Sequence, residues 1–172
     1  APQPQILKKH VLLMDFIGAE GQPAPKLKDA LLTPSGFRKL YRECVEIMWR
    51  LYNISGLVHA DLSEYNLLYH NDSIVVIDVS QAVEKDHPMA LVFLRTDCTN
   101  MTNFFRKKDV AVMNVPQLFN FITDPTINEE NLDACLDAAA EKAANDDNQT
   151  DPDKEVEEEV FKKAYIPQNL KQ

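Results

Sequence analysis

"LVHADLSEYNLLYHNDSIVVIDVS", residues 57–80, sets three polar side chains, Asp61, Asn66 and Asp78, beside two apolar runs. Polar and charged groups in such surroundings cost desolvation energy unless something pairs with them. The runs LLY and IVVI have strand length, and the polar HNDS between them reads as a turn, so the stretch predicts an antiparallel hairpin. With Tyr69 and His70 ending the first strand and Ile74 opening the second, Leu68 faces Val76, Leu67 faces Ile77 and Asn66 faces Asp78. Directly opposed residues hold their Cβ atoms roughly 4.5–5.5 Å apart. The open end of the hairpin is therefore expected to gather an amide oxygen and a carboxylate.

Two hard oxygen ligands on one edge suit magnesium, which takes few protein ligands and shares the rest with water and phosphate oxygens. Asp61 lies five residues before Asn66, in the loop that enters the hairpin. A loop carboxylate beside a phosphate-bearing metal can accept a hydroxyl proton or orient the nucleophile. Taken singly, each of the three is an ordinary turn or strand-end residue. Taken together, His-x-Asp-x-x-x-x-Asn, an apolar strand, a turn and Ile-Asp form the catalytic-loop and metal-aspartate part of the protein-kinase signature.

The rest of the 172 residues frames this stretch. Residues 1–125 carry 13 Lys and Arg against 14 Asp and Glu, and residues 126–172 carry 5 against 13, so a net charge of −9 sits almost wholly in the tail. A near-neutral body makes no composition-level case for nucleic acid binding. Cys44, Cys98 and Cys135 are odd in number and widely spaced, which points to reduced thiols and away from a disulfide or zinc framework. No stretch is apolar for long enough to span a membrane and no leader pattern opens the chain, so the expected compartment is cytoplasmic, with possible passage through the nucleus.

Along the chain, ILKKHVLLMDFIG contains an apolar run, Val11 to Met14, expected to be a buried strand. A Pro-rich connector follows. Thr33 and Pro34 then open PSGFRKLYRECVEIMWRLYN, where Phe37, Leu40, Tyr41, Cys44, Ile47, Met48 and Leu51 recur at steps of three and four. That spacing predicts an amphipathic helix with Thr33 as its N-cap. Helical patterns return after Pro88, in MALVFLRTDCTNMTNFFRKK, VPQLFNFITD and NEENLDACLDAAAEKAAN. An acidic linker over 145–154 leads to a tail helix within 155–172, where Val156, Val160, Phe161 and Tyr165 are spaced to share one docking face.

LVHADLSEYNLLYH and IDVSQAVEKDHPMA, with MDFIG, PAPKLK, FLRTDC, VMNVPQLFNFITDP and EVFKKAYIP, resemble the RIO family of atypical serine/threonine protein kinases, first subfamily. The resemblance runs over nearly the whole chain. It implies an α+β, mostly helical fold: a protein-kinase-like C-terminal lobe (19–144) whose short hairpin carries the site, preceded by a strand and hinge (1–18). It implies Asp61 as the catalytic aspartate, Asn66 and Asp78 as metal ligands, and ATP with Mg2+ as cofactors. Met14 would stand at the back of the adenine pocket, Asp15 and Ile17 would offer hinge backbone groups, and Leu68 and Ile77 would floor it. His59 would buttress the loop. The implied setting is late maturation of the small (40S) ribosomal subunit, with its precursor and assembly factors as partners, proximity to rRNA, and no membrane.

Ala60 replaces the loop arginine of ordinary protein kinases, Ser63 replaces their lysine, and Asp78-Val79-Ser80 replaces Asp-Phe-Gly. No Gly-rich phosphate loop, strand lysine or lysine-pairing glutamate stands ahead of HVLLMDFIG, so the N-terminal lobe is expected to be absent and this chain alone to bind ATP poorly. Two other readings fit the motif. Small-molecule phosphotransferases of kinase-like fold share its Asp, Asn and Ile-Asp, and a kinase scaffold can also serve as a non-catalytic interaction fragment.

Overall fold

A computed structural model describes residues 1–147 together with 156, 159–161 and 163–164. The chain opens with strands β1 (Pro4–Lys8), β2 (Val11–Met14), β3 (Gly18–Ala19) and β4 (Gln22–Pro23), followed by a 3-10 turn at Leu27–Asp29 and helix α1 (Pro34–Asn53). Strands β5 (Leu57–Val58), β6 (Leu67–His70), β7 (Ser73–Val76) and β8 (Val83–Glu84) come next. Helices α2 (Ala90–Arg106), α3 (Val115–Thr123) and α4 (Leu132–Asp147) complete the described body. The strands form four antiparallel two-stranded ribbons, β1–β2, β3–β4, β5–β8 and β6–β7. The α+β, mostly helical character expected from the sequence is what the structure has.

Helix α1 begins where its residues require. The Thr33 hydroxyl accepts the Gly36 N–H at 3.2 Å, and Pro34 occupies the first turn. Its stripe of Phe37, Leu40, Tyr41, Cys44, Val45, Met48 and Trp49 is buried. Helix α3 starts with a reciprocal box in which Asn114 and Gln117 satisfy each other's backbone N–H at 2.9 Å. The core lies among α1, α2 and α3, with Trp49, Phe105, Leu40, Met101, Leu118 and Ile122 fully buried. Cys44 and Cys98 are buried, Cys135 is half-buried, and all three are free thiols.

Two expectations are corrected. The run Val11–Met14 is a strand but not a buried one: Leu7, Val11 and Leu13 are 75%, 57% and 56% exposed. Every residue of β1 and β2 is exposed, and burial depends on a neighbour that a strand's own sequence does not supply. The second correction concerns register. In β6–β7 the pairs are Leu67 with Val76, Leu68 with Val75, Tyr69 with Ile74 and His70 with Ser73, one residue away from the expected pairing. The turn holds two residues, Asn71 and Asp72, at φ 51° and 59°. This left-handed pair fits the twist of a tight hairpin, and Asn and Asp tolerate it better than most side chains. The Tyr69 hydroxyl fixes it by donating to Asp72 Oδ1 at 2.5 Å.

In the tail, Phe161 is half-buried and its ring meets Phe119 edge-on at 5.3 Å, while Arg95 Nη1 donates to the Phe161 carbonyl at 2.8 Å. Val156 and Val160 are each 61% exposed, so the expected docking face is carried by Phe161 and not by the valines. Tyr165 lies outside the described residues, as do residues 148–154 of the expected 145–154 linker, whose first three residues instead belong to α4.

Candidate active site

Strand β5 delivers the chain to His59, Ala60 and Asp61, and its partner β8 receives the chain after Asp78. The β6–β7 hairpin closes the other side. Two short ribbons thus brace a pair of loops, 59–66 and 77–82, and the three polar residues sit on those loops. On the far side of the hairpin, Glu43 of α1 accepts the Ile74 N–H at 3.1 Å and the Ser73 hydroxyl, tying β7 to the core.

Asn66 and Asp61 are in direct contact. Asn66 Nδ2 donates to the Asp61 carbonyl at 2.8 Å and to Asp61 Oδ2 at 3.0 Å. The register places Asn66 opposite Ile77, whose N–H donates to the Asn66 carbonyl at 2.9 Å, and not opposite Asp78. Asp78 comes one residue beyond, where a φ of 57° turns the backbone out of the strand. Its Oδ1 accepts the Ser80 hydroxyl at 2.7 Å, and the Ser80 bonds hold its carboxyl below the usual range. Asp78 and Asp61 are both exposed. The second oxygens, Asn66 Oδ1 and Asp78 Oδ2, take no part in these bonds.

That donor set tests the implied metal. Among the described residues no cluster of three or more His, Cys, Asp or Glu is arranged to hold an ion. One amide oxygen and one ionised, exposed carboxylate make too few ligands for an all-protein cage. They are the right kind for a hard dication that completes its shell with phosphate and water. The residues fit magnesium held jointly with a nucleotide.

The loop is held from helix α2. Asp97, 1% exposed, accepts the Ala60 N–H on Oδ2 and the Leu62 N–H on Oδ1, each at 2.9 Å. One helical turn on, Asn100 Nδ2 donates to the Leu62 carbonyl at 3.1 Å. Burial pushes the Asp97 carboxyl up to about 6, against the opposing pull of the two N–H donors and His59. Its grip fixes Ala60 at φ 67°, a left-handed conformation costly for a residue with a Cβ. Sequence reasoning missed Asp97 and Asn100. The available signal was an acid on an apolar stripe, since Asp97 stands three residues after Leu94 and four before Met101. His59 is buried, and its Nδ1 accepts the Asp61 N–H at 3.3 Å.

The residues expected to line an adenine pocket divide into two groups. Leu68 and Ile77 fall on the same face of the hairpin as Asn66, because the observed register opposes Asn66 to Ile77 and Leu68 to Val75. Met14 ends β2, and Asp15 and Ile17 lie on the segment leaving it. The Asp15 N–H donates to the Gln3 carbonyl, and the Ile17 carbonyl accepts from Ala24. This segment reaches the hairpin through Pro25, whose carbonyl accepts the Tyr69 N–H at 2.9 Å, and through a bridge between Lys26 and Leu68. No described bond joins Met14 to the 59–66 loop.

Residues 1–118 match the family model described as "RIO domain". The chain is 50% identical over 171 residues to serine/threonine-protein kinase rio1 of Dictyostelium discoideum, covering 99% of this chain and 30% of the relative. It is 51% identical over 170 residues to serine/threonine-protein kinase RIO1 of Homo sapiens, covering 98% and 30%. It is 44% identical over 170 residues to serine/threonine-protein kinase rio1 of Schizosaccharomyces pombe, covering 98% and 33%. The chain therefore spans about a third of the length of these curated relatives.

Proposed function

Because the chain belongs to the RIO domain family, we propose that it carries the phosphoryl-transfer loop and metal ligands of an atypical serine/threonine kinase or ATPase. The observation that carries this reading is the Asn66–Asp61 pair, held at 2.8 and 3.0 Å beside an Asp78 that is kept ionised. Asp61 accepts the proton of the attacking hydroxyl, or of water, at its carboxylate, while the Asn66 amide fixes that carboxylate in place. Asn66 and Asp78 would hold a magnesium ion, which when bound with the nucleotide would neutralise phosphate charge. Leu68 and Ile77 provide an apolar floor for adenine, with Met14, Asp15 and Ile17 on the hinge side. The two bonds from Asp97 keep the loop rigid, so that Asp61 does not reorganise as charge moves.

Turnover tests this assignment in a protein that carries the Gly-rich loop and strand lysine ahead of this chain. Asp61→Asn should reduce ATP turnover by about 10²- to 10⁴-fold, the worth of a placed base, with nucleotide affinity retained. A loss below tenfold in a folded variant removes Asp61 from the role. The precursor of the small ribosomal subunit belongs to this reading as the setting implied by the resemblance, and co-sedimentation with that particle tests it.

A further inference from the structure

We infer that Ser80 is a positioning residue for the proposed metal site, fixing the Asp78 carboxylate before metal and nucleotide arrive. The inference rests on the reading of Asp78 as a metal ligand. Asp78 stands two residues past the end of β7, is exposed, and has its backbone turned out of the strand at φ 57°. A carboxylate so placed has about three staggered χ1 wells open to it. What narrows the choice lies two residues on. The Ser80 hydroxyl donates to Asp78 Oδ1 at 2.7 Å, and the Ser80 N–H approaches the same oxygen at 3.4 Å. The second contact is too long to hold the side chain by itself, so the hydroxyl carries the restraint. Among the described residues no other group bonds this carboxylate.

Both proposed ligands follow one pattern. Asn66 commits its Nδ2 to the Asp61 carbonyl and Oδ2, at 2.8 and 3.0 Å, and Asp78 commits its Oδ1 to Ser80. Each keeps its other oxygen out of those bonds. The sequence supplies the reason for Ser80 in particular. Asp78-Val79-Ser80 stands where ordinary protein kinases carry Asp-Phe-Gly. A glycine has no side chain to bond the aspartate and leaves the backbone loose. Serine supplies the missing donor. Without it, the carboxylate would occupy the competent well about a third of the time, which by itself weakens apparent metal affinity about threefold. Outer-shell partners of metal ligands are typically worth about 10- to 100-fold. A loss of roughly 3- to 10-fold is therefore expected from removing one hydroxyl at this exposed position.

Two measurements test this in a protein that carries the Gly-rich loop and strand lysine ahead of this chain. In the metal-free, nucleotide-free protein, three-bond couplings to the Asp78 β-protons should report one χ1 rotamer in wild type and an average over rotamers in Ser80→Ala. Calorimetric titration of a non-hydrolysable ATP analogue at graded magnesium should then show Ser80→Ala needing roughly 3- to 10-fold more magnesium. Ser80→Thr keeps the hydroxyl and should return to within about twofold of wild type. Binding of the analogue in EDTA and the urea midpoint should not move in Ser80→Ala; a parallel loss in either would make Ser80 a structural residue and overturn the assignment. Asp78→Ala, run alongside, separates the two readings. If it loses the magnesium dependence while Ser80→Ala keeps that of wild type, the positioning role alone falls. If neither variant changes it, the metal reading falls and the positioning role with it. Averaged Asp78 couplings in wild type, or a Ser80→Thr variant as weak as Ser80→Ala, would also overturn the assignment.

Discussion

Asp97 should make the protein's stability depend on pH in a way opposite to ordinary acid denaturation, and replacing it by Asn should remove that dependence. Asp97 is buried under α2 and accepts the Ala60 and Leu62 N–H groups, yet burial raises its carboxyl from 3.8 to about 6. The folded state therefore binds the proton more tightly than the unfolded chain. Between those values the folded carboxyl is protonated and the unfolded one is not, so Asp97's contribution to stability falls as pH rises from about 4 to about 6, then stays level. The rise corresponds to roughly 3 kcal/mol of penalty at pH 7, taking 1.36 kcal/mol for each pH unit. His59 and Asp61 are the neighbouring charges that bear on this carboxyl, the first favouring ionisation and the second opposing it. Asn removes the titration while keeping the shape and one acceptor. Urea unfolding of wild type and Asp97→Asn from pH 4 to 8 isolates the effect, because other carboxylates cancel in the difference. Wild type should gain roughly 3 kcal/mol on the variant as pH falls from 7 to 4. A difference that is flat with pH, or that grows in the other direction, refutes the account of a buried and reluctantly charged anchor.

Two further outcomes follow from contacts outside the loop. Tyr41→Phe strands the buried Met113 N–H, which now donates to the Tyr41 oxygen at 3.0 Å, and should cost about 1–3 kcal/mol in urea unfolding; no loss would mean that the Met113 amide has another acceptor. Phe161→Ala removes the edge-on contact with Phe119, and hydrogen exchange at Val160 and Phe161 should quicken by roughly 3- to 10-fold; unchanged exchange would place the docking energy in the Arg95 bonds alone.

Legibility in the sequence followed the range of the physics. Helix α1 was legible in its start and most of its buried stripe, because Thr33, Pro34 and the three-and-four spacing after Phe37 are local signals that agree, though Val45 and Trp49 are buried where the spacing named the half-buried Ile47 and Leu51. Helices α2, α3 and α4 emerged from their periodicity. The hairpin was legible as a hairpin but not in register, since pairing depends on how many of Asn71, Asp72 and Ser73 the turn consumes, and the positive φ values of Asn71 and Asp72 decide that. The observed register sets Leu68 and Ile77 on the face that Asn66 occupies. Asp97 was not singled out because its partners, Ala60 and Leu62, lie more than thirty residues away in sequence. The exposure of β2 and of Val156 and Val160 was out of reach for a similar reason, as burial is settled by the neighbour and not by the apolar residue itself.

Magnesium-dependent ATP affinity tests the central claim most directly, in a protein with the Gly-rich loop and strand lysine ahead of this chain. Asn66→Ala and Asp78→Ala should each lower Mg-ATP affinity by about tenfold or more, because each deletes a metal ligand. Asp61→Asn should leave that affinity within about twofold of wild type, since Asp61 acts on the attacking hydroxyl and not on the ion. If instead Asn66→Ala and Asp78→Ala retain the wild-type magnesium dependence, the loop and hairpin end do not form the metal-bearing half of a phosphoryl-transfer site.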